Sequence, residues 1–161
     1  MSRRVRTAAH LGLVLLVLGV IAARPQPAAA AGCEAVVAAL NRELRPKIDA
    51  GELIAALRAL NASHDRALPE QFVTKRQAQR AGWRPGMDLW SVAGLRGKSI
   101  GGDVFGNREG KLPAGRRRWR EADLGYHGGH RGAKRLIFSD DGLRQVTVDH
   151  YRSFREVPRC D

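Results

Sequence analysis

The sequence contains little cysteine, the residue that forms disulfides and binds structural zinc. Only two cysteines occur among its 161 residues, Cys33 and Cys160. This count excludes a disulfide-dense scaffold and a four-cysteine zinc site. In an exported protein a single cysteine pair predicts one disulfide, here closing almost the whole chain into a loop. His127 and His130 lie three residues apart, but no third ligand accompanies them, so we expect no metal site.

A hydrophobic run long enough for a transmembrane helix is also lacking. The run from Leu11 to Ala23 has about 13 residues, whereas a span needs about 20. Three arginines precede this run and small residues follow at 28–32, as in a secretory signal peptide. We therefore expect residues 1–31 to be removed from a secreted, extracellular protein that has no membrane segment in its mature form. A membrane anchor, a lipoprotein signal ending at Cys33 and twin-arginine export are the alternatives left open.

Acidic residues are the minority among the charged side chains. The chain has 28 Lys and Arg against 16 Asp and Glu, a formal net charge of +12. Residues 1–31 hold four arginines and no acid, so eight of these twelve net charges stay on the remainder. A basic protein attracts polyanions such as nucleic acid or anionic lipid. Charge alone fits a solvated surface equally well.

Helical patterns occupy the first part of the expected mature chain. Apolar residues at helical spacing predict one helix that ends before Pro46 and a second that includes Leu53 to Leu60. Thr74 and Gln77 match a capping box, which predicts a short helix that ends near Gly82. Lys75 follows the cap directly and lies in the first turn of this helix.

Strand patterns follow from residue 98 onward, and Asp141-Gly142 predicts a hairpin turn between two of them. Helices followed by strands are typical of the α+β class. We therefore expect N-terminal helices packed on an antiparallel sheet of about five strands. The predicted strands are Ser99–Phe105, Arg118–Leu124, Arg135–Ser139, Arg144–Val148 and Arg152–Arg155.

Several short motifs follow one another along the chain. In chain order they are Thr74-Lys75, Ala81-Gly82-Trp83, the run from Lys98 to Pro113, Trp119-Arg120-Glu121-Ala122-Asp123, Arg131 with Arg135, and Asp149-His150-Tyr151. Together they resemble one family, the bacterial guanyl-specific ribonucleases of the barnase and binase type. The resemblance covers about residues 67–158 and implies the microbial ribonuclease fold. With the signal and helix patterns described above, we expect a signal peptide at 1–31, an N-terminal helical extension at 32–66 and a catalytic domain at 67–161.

The resemblance implies an endoribonuclease that cleaves single-stranded RNA 3′ to guanosine without a cofactor or metal. Glu121 matches the general base that takes the 2′-hydroxyl proton, and His150 matches the general acid that protonates the departing 5′-oxygen. A 2′,3′-cyclic phosphate is the first product. Lys75, Arg131 and Arg135 match cations that stabilise charge on the phosphate.

Further residues of the family pattern are implied to bind the base or to support the site. Asp123 matches a structural carboxylate that pairs with Arg131 and Arg135 and fixes their geometry, and Asp103 is a second structural carboxylate. A loop after the first long strand is implied to read the guanine edge, with Glu109 accepting from N1–H and N2–H. The residues implied to bind substrate are Phe105, Asn107, Arg108, Glu109 and Tyr151.

The chain departs from the family pattern in three places. Gly106 stands where the family usually has Ser, and the loop before Trp119 carries the three arginines 116–118. The N-terminal extension has no counterpart in the family, and we expect it to form an added helix tied by the disulfide.

We expect a monomer that binds RNA and is controlled by a small acidic inhibitor of the barstar type. The alternative is a non-catalytic RNA-binding or toxin-like interaction module on the same fold.

Overall fold

The structure is a computed structural model that describes residues 31–161. The predicted signal peptide therefore lies outside the described residues, apart from Ala31. Between residues 31 and 161, no helix combines the length and the apolar character needed to cross a membrane.

Three α-helices precede most of the sheet, and their starts follow from side-chain caps. Asp49 accepts a hydrogen bond from the backbone of Glu52 at the start of the second helix. Thr74 and Gln77 form the predicted capping box of the third helix, in which each side chain bonds the other residue's backbone. The helices are α1 (Cys33–Glu43), α2 (Ala50–Ser63) and α3 (Lys75–Arg80), followed by a 3₁₀ turn at Leu89–Ser91.

Six strands form one mixed sheet, and they are neighbours in the order in which the chain visits them. The first pair is parallel and the other four pairs are antiparallel. The predicted α+β class is confirmed, with one short strand, β1, that the sequence patterns did not indicate. The strands are β1 (Phe72–Val73), β2 (Ser99–Val104), β3 (Trp119–Asp123), β4 (Arg135–Ser139), β5 (Arg144–Thr147) and β6 (Arg155–Glu156).

The predicted strand at Arg152–Arg155 is wrong, because most of this segment belongs to a turn. The carboxylate of Asp149 accepts from both the backbone and the hydroxyl of Ser153, which folds the chain back on itself. His150 and Tyr151 inside the turn have left-handed backbone conformations, which no strand accommodates. Strand pairing begins only at Arg155.

Alternation along β3 separates the two faces of the sheet. Ala122 lies in the core cluster that contains the apolar residues of α1 and α2, so it marks the helical face. Side chains alternate along a strand, and Glu121 and Asp123 therefore lie on the opposite face. Pairing places Asp103 of β2 opposite Glu121, and Arg135 of β4 opposite Asp123. The register thus gathers charged residues of three strands on one face.

The helices and the sheet share one hydrophobic core. Residues of α1 and α2 pack with β3, β4 and β5 in a single cluster that includes Leu57, Leu136 and Phe138. Arg144 of β5 is buried below these helices, where it donates to the carboxylate of Asp65. The predicted division between residues 66 and 67 stays a prediction, and both helices before it contribute to the core of the sheet.

The predicted disulfide is present and joins the start of α1 to the C-terminal segment. Cys33 and Cys160 are bonded, 127 positions apart in the sequence, and both are buried. The backbone reinforces this junction, because Ala31 pairs with Cys160 and the N–H of Cys33 donates to the carbonyl of Asp161. The segment before residue 67 is therefore attached to the rest of the chain through both its helices and Cys33.

Replacing both cysteines by alanine should destabilise the protein by roughly 2–5 kcal/mol, because the unfolded chain regains the entropy of a long open loop. Urea unfolding of the variant and of the oxidised protein measures this difference. Dithiothreitol should destabilise the unaltered protein to a similar extent and leave the variant unchanged. An equal unfolding midpoint for the variant and the oxidised protein would show that the disulfide contributes nothing.

Candidate active site

Glu121 is the buried centre of the charged face. It is 7% exposed, and both carboxylate oxygens have partners. Oε1 accepts from the ammonium of Lys75 at 3.1 Å, and Oε2 accepts from the hydroxyl of Tyr151 at 2.7 Å. A carboxylate in this position is held in one orientation, because a move away from either partner leaves a buried charge unsatisfied.

Lys75 reaches Glu121 because α3 is docked against β2. Its side chain extends from the first residue of the helix, directly after the Thr74 cap. Its backbone N–H donates to the carboxylate of Asp103 at 2.8 Å. Asp103 thus satisfies one of the N–H groups that a helix start leaves without a partner, and it fixes α3 to the strand opposite Glu121.

A second carboxylate on the same strand binds two arginines. Asp123 is 3% exposed and receives a two-pronged hydrogen bond from Arg131, with Nη2 to Oδ1 at 2.7 Å. Its Oδ1 also lies 2.8 Å from Nε of Arg135, whose side chain is 4% exposed. The hydrogen bond with Asp123 raises the pKa of Arg131 above its ordinary value. Both guanidinium groups are therefore fixed in place and permanently charged.

Tyr151 connects the two carboxylate groups. Its hydroxyl donates to Glu121 and accepts from Nε of Arg135 at 3.0 Å. Burial and the hydrogen bond to Glu121 raise the pKa of Tyr151 to about 12, so the hydroxyl stays protonated at neutral pH. The resemblance implied that Tyr151 binds substrate and did not indicate this role of its hydroxyl. The ring forms a wall, stacked on Phe105 at 5.4 Å between centroids.

His150 lies beside this network on a strained turn. Its φ is 61° and that of Tyr151 is 66°, both in the left-handed region that L-residues seldom adopt. The imidazole is exposed, and its centroid lies 5.4 Å from the centroid of the Tyr151 ring. Within residues 31–161, no hydrogen bond joins His150 directly to Glu121. Tyr151 contacts both groups, because its ring lies beside the imidazole and its hydroxyl donates to Glu121.

A cleft of about 530 Å³ opens over Glu121 and Lys75. Its other wall is the segment from Phe105 to Lys111, which we call the recognition loop. Tyr151 and Phe154 close one side. The cleft's lining includes all five residues predicted to bind substrate. It does not include His150, Arg131 or Arg135, of which His150 and Arg135 contact Tyr151 in the cleft wall.

Asn107 shapes the recognition loop with its side chain. The amide donates to the carbonyl of Leu112 at 2.8 Å and accepts from its N–H at 3.1 Å, which closes the loop. Asn107 has a φ of 40°, and Gly110 with a φ of 63° completes the curve. Within the described residues, the N–H groups of Asn107 and Arg108 have no protein acceptor. They remain available to a ligand.

Glu109 extends into the cleft from the outer part of the loop. Its side chain is 72% exposed and pairs with Lys111 at 2.6 Å. The ammonium of Lys111 also donates to the carbonyl of Tyr151 at 3.0 Å, which joins the loop to the turn that carries His150. The sequence patterns did not indicate this bridge, because its two ends are 40 residues apart.

No metal-binding cluster occurs in residues 31–161, since no three His, Cys, Asp or Glu side chains gather suitably there. His127 instead contacts the ring of Trp90 in an edge-to-face arrangement. Nearby, the hydroxyl of Tyr126 accepts from the backbone of Leu89 and contacts Asp88, which supports the loop that leads to Arg131. Tyr126 has no signature in the sequence beyond being aromatic.

Comparison with known proteins identifies the family. The ribonuclease family model matches residues 57–158, which begins inside α2 and covers more than half of the chain. A ribonuclease of Heyndrickxia coagulans is 51% identical over 92 residues, which are 56% of this chain and 83% of that protein. Ribonucleases of Bacillus intermedius and Bacillus pumilus are equally similar over 92 residues, which are 56% of their own lengths. The resemblance inferred from the motifs is confirmed: the chain belongs to the ribonuclease family.

Proposed function

We propose that this protein is a secreted endoribonuclease that cleaves single-stranded RNA 3′ to guanosine by acid–base catalysis. One observation carries the proposal. A buried carboxylate, Glu121, lies at the floor of a cleft, between a lysine and a tyrosine hydroxyl and beside two fixed arginines. This arrangement suits proton removal next to a phosphate.

In the first step the nucleophile comes from the substrate itself. The 2′-hydroxyl gives its proton to Glu121 while the 2′-oxygen forms a bond to phosphorus. The phosphorus–O5′ bond breaks, and the imidazolium of His150 donates its proton to the departing O5′. The products are a 2′,3′-cyclic phosphate and a 5′-hydroxyl. DNA lacks the 2′-hydroxyl and is no substrate for this step.

The second step reverses the two roles. Neutral His150 takes a proton from water, whose oxygen forms a bond to phosphorus. The phosphorus–O2′ bond breaks, and protonated Glu121 returns its proton to the departing 2′-oxygen. A 3′-phosphate results. Neither step requires a metal in this scheme, because the guanidinium groups and Lys75 supply the positive charge that stabilises the phosphorane oxygens. Arg131 and Arg135 suit this task, since Asp123 fixes both before the substrate arrives.

The recognition loop is proposed to read guanine. The free N–H groups of Asn107 and Arg108 are donors for the guanine O6, and the carboxylate of Glu109 is an acceptor for N1–H and N2–H. Adenine presents the opposite donor and acceptor pattern along this edge. Phe105 stacked on Tyr151 offers an aromatic surface at the same end of the cleft.

Export of the protein and control by a partner belong to the same proposal. The Cys33–Cys160 bond suits an oxidising compartment outside the cytosol, where disulfides persist. The excess of basic over acidic residues suits a small acidic inhibitor that would protect the producing cell. We propose that the mature protein acts as a monomer.

Asp149 is proposed to position the general acid. Its carboxylate accepts from the hydroxyls of Thr147 and Ser153 and from the backbone of Ser153, and these bonds hold its pKa well below the ordinary range. The N–H of Tyr151 donates to the hydroxyl of Thr147 at 3.1 Å. These bonds stabilise the two consecutive left-handed residues, His150 and Tyr151, which cost roughly 1–3 kcal/mol each.

Glu121→Ala and His150→Ala should each reduce cleavage of a guanylyl dinucleotide by about 10²–10⁴-fold, the usual contribution of a general base or acid. Chromatography of the products in EDTA measures the rate and identifies the cyclic phosphate. Binding of RNA should survive both substitutions. If the unaltered protein binds RNA but does not cleave it in EDTA, the non-catalytic alternative replaces this proposal.

Glu109→Ala should lower the preference for guanosine over adenosine by roughly 10- to 100-fold, because hydrogen bonds to a charged group contribute about 1.5–3 kcal/mol. The ratio of kcat/KM for GpN and ApN dinucleotides measures this preference. The exposed Glu43 on α1 offers a matched control, since Glu43→Ala removes the same charge far from the cleft. Equal preference in both variants would exclude Glu109 from base reading.

Asp149→Ala should destabilise the protein at neutral pH and not in strong acid. The folded-state pKa of Asp149 lies below its unfolded value of about 3.9, so its stabilisation is complete above pH 4 and declines as pH falls toward the folded pKa. Urea midpoints between pH 7 and pH 2 should therefore converge for the variant and the unaltered protein. Glu70→Gln, at an exposed carboxylate, is the control. A difference that stays constant with pH would refute this role of the carboxylate.

A further inference from the structure

Three consecutive arginines, Arg116 to Arg118, directly precede β3 and take no part in the proposed chemistry. We call residues 115–118 the arginine loop. The arginine loop connects the recognition loop to β3. Hydrogen bonds fix the residues on either side of it. The indole N–H of Trp119 donates to the carbonyl of Pro113, and the carbonyl of Trp119 accepts from the N–H of Phe105. The arginine loop therefore adjoins the loop proposed to read guanine.

The turn between β4 and β5 holds the arginine loop in one conformation. Arg117 donates through Nε to the carboxylate of Asp141 at 2.9 Å and through Nη1 to the carbonyl of Ala114. The N–H of Arg118 donates to the carboxylate of Asp140 at 2.9 Å. The hydroxyl of Ser139, followed by Arg117, lowers the pKa of Asp141, which keeps this anchor charged. Arg117 is thus an internal anchor of the loop.

Arg116 and Arg118 flank this anchor in the chain. Both are exposed, and within residues 31–161 neither guanidinium has a carboxylate within ion-pair distance. The cations around Glu121 are different, because Lys75, Arg131 and Arg135 are each paired with a buried carboxylate. A guanidinium with no internal partner on a fixed loop is suited to a phosphate, which it can bind through two parallel hydrogen bonds.

We propose that Arg116 and Arg118 form a phosphate subsite for RNA that extends beyond the dinucleotide at the scissile bond. The inference rests on the proposed ribonuclease function and adds a preference for oligomers over dinucleotides. Arg117 provides the rigidity, through Asp141, and the two flanking arginines provide the contacts. Counterions released from each neutralised phosphate would make this contribution dependent on salt.

The test compares two substrates in three proteins. The substrates are a guanylyl dinucleotide and a single-stranded RNA of about ten nucleotides with one central guanosine. The proteins are the unaltered enzyme, Arg116→Ala/Arg118→Ala, and Arg42→Ala/Lys47→Ala. The last variant removes the same charge from exposed positions in α1 and the segment after it, away from the cleft.

For the first variant, kcat/KM on the oligomer should fall about tenfold through a higher KM, while the dinucleotide is cleaved as before. The slope of log(kcat/KM) against log[salt] should decrease by about 1.4 in magnitude, since each phosphate contact on a single strand contributes about 0.7. The α1 variant should change neither quantity. Two results would overturn the subsite. One is a decrease in kcat/KM on the oligomer that is no larger for the Arg116→Ala/Arg118→Ala variant than for the α1 variant. The other is an equal decrease in kcat/KM on the oligomer and the dinucleotide.

A binding measurement separates this inference from the proposed function. Fluorescence anisotropy with the same oligomer carrying 2′-deoxyguanosine reports affinity in the absence of cleavage. Weaker binding by the Arg116/Arg118 variant alone supports the subsite even if no RNA is cut, and equal binding by all three proteins refutes it. Failure of the unaltered protein to cut either substrate refutes only the proposed function.

Discussion

The structure of the site depends on the neutralisation of two buried carboxylate charges on β3. Glu121 and Asp123 lie on one face of β3 and are almost inaccessible to water. An ion pair taken out of water is tolerated only with close partners, and loss of one partner costs about 3–5 kcal/mol. Their cations come from α3, from the loop after β3 and from β4. The positions of these three elements are therefore set by the charges that they must neutralise.

Tyr151 is the point at which this electrostatic constraint meets the backbone. Its hydroxyl must reach both Glu121 and Arg135, and its ring must pack on Phe105. A strand at 152–155 would not provide that direction, whereas a turn with two left-handed residues does. The carboxylate of Asp149 supplies the hydrogen bonds that make the turn stable. The left-handed conformations of His150 and Tyr151 are thus explained by the hydrogen bonds that the Tyr151 hydroxyl makes to Glu121 and Arg135.

The sequence was sufficient for features that depend on neighbours in the chain. The capping box at Thr74 and the turn at Asp141-Gly142 are local, and both are present as predicted. The short strand β1 was missed, because two residues carry no periodicity and pair in parallel with a strand far along the chain. The hydrogen bond from Gly125 to Glu52 was also missed, because its two residues are 73 positions apart in the sequence. The family resemblance implied that Asp123 pairs with the arginines, but it did not indicate that Lys75 pairs with Glu121.

The pairing has a consequence for how the protein attracts its substrate. Lys75, Arg131 and Arg135 are balanced by Glu121 and Asp123, with Asp103 close by, so the centre of the site contributes little net charge. Long-range attraction of a polyanion depends on net charge and not on fixed ion pairs. The eight net charges of residues 32–161 must therefore act mainly from the exposed surface. The paired cations of the site are therefore suited to a contact at short range, and the exposed basic residues to attraction of a polyanion at long range.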